Sequence, residues 1–206
     1  MAALDLKANT DRFIVGLLVL AAALAAALFL WPTEEGGGGA DSTAPVASGL
    51  GSCKGKDRVM VPAQKLTASL VPIQTVKRDG AVQLDPPPDP DEVGWWDASA
   101  KPGHLGGQSV ITGHTVHDGA GALNNIGQVK KGQRIKVCHK GELSVFEATS
   151  IQTISKEDVA RRAEALFGQQ RDDARLVLLT CTDWVGPGNY RSNLFVFGKP
   201  LRTEPA

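Results

Sequence analysis

The chain has 206 residues, in which 22 lysines and arginines balance 22 aspartates and glutamates. With no basic cluster, that balance argues against a nucleic-acid partner held through its phosphates. The three cysteines are an odd number, so outside the cell the chain carries either a free thiol or an intermolecular bridge.

In chain order, residues 1–12 read as a short cytoplasmic N-terminus. Residues 13–31, FIVGLLVLAAALAAALFLW, hold no charge. At about 1.5 Å per residue they make a helix of roughly 28 Å, close to the ~30 Å hydrocarbon layer of a membrane. The run ends in Trp31-Pro32-Thr33-Glu34 rather than in a small-residue cleavage site, so it reads as a transmembrane anchor, with cleavage near Ala27 as the alternative. Lys7 and Arg12 precede it, and no basic residue follows before Lys54, which places the N-terminus in the cytoplasm and the rest of the chain outside. Residues 32–53, with GGGG and scattered Ser, Thr, Ala and Pro, read as a flexible extracellular linker. Residues 54–206 are long enough for one domain with its own core.

Eight runs in that domain have strand character: DRVMVPA, SLVPIQ, AVQLD, QSVITG, QRIKVC, ELSVFEATSIQTI, RLVLLTC and NLFVFG. Separated by Gly, Pro and Asp turns, they predict a mainly β fold, a closed barrel or a sandwich. One helix is predicted over SKEDVARRAEALFG, capped by Ser155, with Val159, Ala163 and Leu166 as its apolar stripe and Gly168 at its end. A weaker helical turn is expected at 121–128. The prolines of LDPPPDPDEVGWW predict an extended surface loop, because proline lacks the amide that a central strand donates. Trp95 and Trp96 behind it read as packing aromatics.

Cys138 in QRIKVC alternates against Ile135 and Val137 and so falls on the polar face of its strand. There it either pairs with Cys53 or stays a thiol; pairing leaves Cys181 free. A thiol of ordinary pKa, about 8.5, is only a few per cent thiolate at neutral pH, so chemistry at Cys181 needs a nearby histidine or cation. His114 ends the run QSVITGH, and Arg191 starts the strand after the cysteine strand, across a predicted loop at 182–190. A guanidinium there stays charged and can donate to an oxyanion. His117, three residues after His114, has no thiol or carboxylate partner fixed in sequence, so neither metal nor cofactor is predicted.

VLLTC at 177–181, ITGH at 111–114 and YRSNLFVF at 190–197 resemble the cysteine, histidine and arginine motifs of sortases, the cysteine transpeptidases of Gram-positive surfaces. Val177 stands where the motif has threonine. The likeness runs through most of residues 57–200. VGWWDASAKPG and GNYRSN are most similar to class F sortases of actinobacteria, with class E next. The resemblance implies an eight-stranded barrel with one or two short helices behind the anchor, with Cys181, His114 and Arg191 catalytic at one end. Thr180 and Trp184 are then candidate substrate contacts. The implied partners are surface proteins with a C-terminal LPxTG-type sorting signal and a cell-wall amine, or water, as acceptor. A non-catalytic peptide-binding barrel and another extracytoplasmic cysteine peptidase are the competing readings.

Overall fold

A computed structural model describes residues 53–78, 80–104 and 106–205; the predicted anchor at 13–31 and nearly all of the linker lie outside them. Ten strands are present: β1 (Arg58–Val61), β2 (Leu66–Ile73), β3 (Thr75–Arg78), β4 (Ala81–Leu84), β5 (Glu92–Trp96), β6 (Gln108–Gly113), β7 (Arg134–His139), β8 (Glu142–Ser155), β9 (Arg175–Gly186) and β10 (Asn189–Pro205). Eight of them close a barrel in the order β1-β2-β5-β6-β9-β10-β8-β7, and β3 and β4 form a separate hairpin.

The predicted count of eight barrel strands holds, but its membership changes. AVQLD forms β4, which lies off the barrel, whereas EVGWW, expected in a loop, forms β5 between β2 and β6. The prolines end at Pro90, so they never enter the ladder. Gly94 allows β5 to pack closely on β2, since a Cβ there would meet Ile73 Cγ2 at 2.5 Å. Trp95 is buried in the core, and its Nε1 donates to the Ala100 carbonyl at 3.1 Å.

Period-two patterning divides the apolar residues between two layers. Ile111, Ile135, Val137, Leu176, Leu178 and Val196 fill the barrel, while Val110, Val177, Leu179, Phe195 and Phe197 form an outer layer with Leu166, Val159 and Phe167. The helix covering that outer layer is split into α1 (Lys156–Arg161) and α2 (Ala163–Phe167). Ser155 caps α1 as predicted, its Oγ accepting from the Asp158 amide at 3.1 Å. The break at Arg162, with φ −106°, turns the stripe. Ala163 is therefore exposed, and Phe167 joins Leu166 against the sheet. A 3-10 turn at Ile126–Gln128 matches the weak helical expectation.

Cys53 and Cys138 form a disulfide. Cys138 does sit on the face opposite Ile135 and Val137, but the arm carrying Cys53 covers that face and buries it with Leu143 and Val145.

Candidate active site

The site is built on the register of three strands. β6 and β9 run parallel, with Val110 beside Val177 and Thr112 beside Leu179. Two residues further on, His114 stands just beyond the end of β6 and Cys181 within β9, so that alternation carried on from Thr112 and Leu179 sets them on the same side. On the other side of β9, β10 runs antiparallel and pairs Asn193 with Cys181, and β8 pairs Ile154 with Asn193. Arg191, two residues before Asn193, shares that face. All three predicted catalytic residues therefore come to one end and one face of the barrel.

Cys181 is the free cysteine and is half-buried. Burial pushes its thiol above the ordinary range, and the charge of Lys156, at the start of α1, pulls it back. The cation acting on the resting thiol is thus Lys156, which the sequence did not single out. Asn193 was also missed: its Nδ2 donates to the Thr180 carbonyl at 3.2 Å and approaches Cys181 Sγ at 4.0 Å. Its signal was available, since alternation along a strand puts an amide two residues after Arg191 on the same side as the arginine. His114 is half-buried, with Nε2 2.8 Å from the Pro87 carbonyl. Arg191 is exposed and pairs with no carboxylate among the described residues.

Thr180 faces the barrel interior, opposite to Cys181. Its hydroxyl donates to the Gly113 carbonyl at 2.7 Å and meets Thr115 Oγ1 at 2.7 Å. It ties the end of β6 to β9 and so holds His114 level with Cys181. The segment expected as a loop at 182–190 is a hairpin: β9 continues to Gly186 and β10 begins at Asn189, with the turn at Pro187-Gly188. The turn needs Gly188 at φ +72°. Trp184 on this hairpin is 41% exposed and stacks on His117, with centroids 3.9 Å apart and planes 3° off parallel. The Tyr190 hydroxyl donates to the Thr115 carbonyl at 2.8 Å. These contacts strap the hairpin over the segment that follows His114.

A free thiol level with an imidazole on one wall of a barrel end, and a guanidinium on the same face, is an arrangement suited to acyl transfer. Residues 59–201 match the family described as the sortase domain, and the chain belongs to that family of cysteine transpeptidases. Among solved structures, the fold is similar to sortase A of Listeria monocytogenes, at 19% identity and a TM-score of 0.55 over 73% of this chain and 89% of that one. It is likewise similar to sortase C-1 of Actinomyces oris, at 21% identity and 0.54 over 71% and 73%. Sortase E1 of Streptomyces coelicolor, solved with a tripeptide in its active site, gives 18% identity and 0.54 over 74% and 91%. No curated protein sequence matches the chain.

Proposed function

We propose that the chain is a membrane-anchored sortase that cleaves LPxTG-type sorting signals between threonine and glycine and passes the acyl group to a cell-wall amine or to water. The observation that carries this reading is the free, half-buried Cys181 on one barrel face with His114 and Arg191.

In the first step the Cys181 sulfur bonds to the threonine carbonyl carbon, and its proton passes to His114. His114 then protonates the glycine nitrogen as the C–N bond breaks, leaving a thioester. Arg191, unpaired by any carboxylate among the described residues, donates to the substrate and to the oxyanion of the tetrahedral intermediate. Trp184, exposed beside this face, contacts the peptide. Thr180 acts through the backbone it holds. The acceptor amine attacks the thioester carbonyl and gives a proton to His114, which returns it to the Cys181 sulfur as the C–S bond breaks. Burial keeps the Cys181 thiol protonated to higher pH than a free thiol, so the resting sulfur carries its hydrogen until the attack.

The likeness of VGWWDASAKPG and GNYRSN to class F sortases, with class E next, supports placement there. The uncharged run 13–31 and the charges around it support a single-pass anchor with the N-terminus in the cytoplasm and the catalytic domain outside.

The test is the intact mass of the full chain after incubation with LPxTG- and LAxTG-type peptides, with Cys181→Ala as control. A fragment starting at residue 54 is unsuitable because it removes Cys53 and leaves Cys138 unbridged. An acyl adduct on the wild type alone, with cleavage between threonine and glycine, is expected. Peptides that bind without adduct or cleavage would establish a binding barrel instead.

A further inference from the structure

The segment 85–91 joins β4 to β5 through three consecutive prolines, Pro86 to Pro88. Proline fixes φ near −65°, so the run is stiff. Both ends are pinned: Arg78 Nη2 donates to Asp85 Oδ1 at 2.7 Å, and the Ala122 amide donates to the Pro90 carbonyl at 2.7 Å. Of the segment's residues only Pro87 is buried, and its carbonyl oxygen is the atom 2.8 Å from His114 Nε2.

A carbonyl oxygen only accepts, so Nε2 carries a hydrogen whether the ring is neutral or cationic. A neutral imidazole has a single N–H, which leaves its lone pair on Nδ1. We propose that Pro87 is a positioning residue for the transpeptidation: its carbonyl holds His114 as the Nε2–H tautomer and makes Nδ1 the nitrogen that exchanges protons with Cys181 and the leaving amine. This rests on the reading of His114 as the acid–base partner of Cys181.

The protons balance on that route. As sulfur bonds to the substrate carbonyl carbon, the thiol hydrogen moves to Nδ1, and the ring becomes a cation with hydrogens on both nitrogens. As the C–N bond breaks, the Nδ1 hydrogen leaves with the amine, and the ring returns to the Nε2–H form. In deacylation Nδ1 takes the acceptor's proton as the acceptor bonds to the carbonyl carbon, and returns it to the Cys181 sulfur as the C–S bond breaks. The Nε2 hydrogen stays on the Pro87 carbonyl throughout, so the ring keeps one orientation through both half-reactions. A loop that merely covered the site would act with the opposite sign, because loosening it would speed turnover.

The experiment is 15N NMR of the full chain labelled at histidine, at a pH where the imidazoles are neutral, with His114→Gln identifying the resonances. A hydrogen-bearing Nε2 and a bare Nδ1 are expected. Replacing Pro86, Pro87 and Pro88 together by glycine should give an averaged, two-tautomer signature. It should also lower kcat by on the order of 10- to 100-fold with KM held, part of the 10²–10⁴ that a positioned acid or base contributes. Pro87→Ala, which keeps the carbonyl, should keep the tautomer. A protonated Nδ1 in the wild type, or a glycine variant with raised kcat, would overturn the proposal. Should the glycine variant not fold, the wild-type spectrum decides alone. The spectrum requires no peptide cleavage, so a failed cleavage assay counts against the function and a wrong tautomer against Pro87.

Discussion

Each end of the barrel holds a cysteine and a histidine. At one, Cys138 and His139 close β7; at the other, Cys181 lies on β9 level with His114 beyond β6. Their partners separate them. Cys138 is bridged to Cys53, and His139 is buried with Nδ1 2.8 Å from Asp57 Oδ2, its ring 4.8 Å from Trp95. The other Asp57 oxygen accepts from the Lys140 amide at 2.8 Å. Cys181 has no covalent partner, and His114 leans on one carbonyl with no carboxylate among the described residues. Both ends combine the same two residue types. The covalent and hydrogen-bonded partners make one a clamp, and the other holds a thiol free of a covalent partner.

The sharpest way to break that contrast is Cys181→Ala, which should reduce peptide cleavage by more than about 10⁴-fold while leaving the urea midpoint in place. The reciprocal change, Cys53→Ser with Cys138→Ser, should leave turnover of the folded enzyme intact. It should cost about 4 kcal/mol of unfolding free energy, because the bridge closes a loop spanning a sequence separation of 85. Chemical denaturation with activity measured in parallel separates the two variants. Arg191→Ala should lower kcat/KM by about 10²–10³-fold, as the loss of an oxyanion donor does. Arg191→Lys should recover only part of this, since a lysine lacks the planar fork. Asp57→Ala removes the partner of His139 and should cost roughly 1–3 kcal/mol in a urea titration without altering cleavage.

The smallest effect concerns protonation. The rate of Cys181 alkylation by iodoacetamide should rise with pH to a midpoint above that of a free thiol, and Lys156→Ala should move the midpoint higher still, because it leaves burial unopposed. Since the folded thiol keeps its proton to higher pH than the unfolded one, its contribution to stability is complete below the unfolded value. That contribution is lost as pH rises through the folded value. A midpoint below that of a free thiol would contradict the burial argument.

Strands with alternating patterns, such as β2, were legible because one face is buried and the other is wet. β5 was not, because its neighbouring prolines dominate the local reading and the cause of its placement, Ile73 against Gly94, lies on another strand. The motifs point to Cys181, His114 and Arg191, and the strand register brings those positions to one barrel end. Asn193 is readable from its alternation with Arg191, whereas Lys156 is not, because it acts on Cys181 through space from the start of α1. The length of the hairpin does not show in the sequence, because Pro187-Gly188 marks a turn without showing how far pairing continues on each side. Pro87 acts through a carbonyl that every residue possesses, so no side-chain reading could reveal it.

The bridge also has a mechanical consequence. Cys53 precedes β1 and is bonded to β7 at the barrel end opposite Cys181. A pull on the chain at any point before Cys53 passes through a covalent bond into β7 and does not peel β1 from its neighbours. Tension applied there would be borne by the sulfur bridge, and the strand register that aligns thiol and imidazole would carry none of the load through β1.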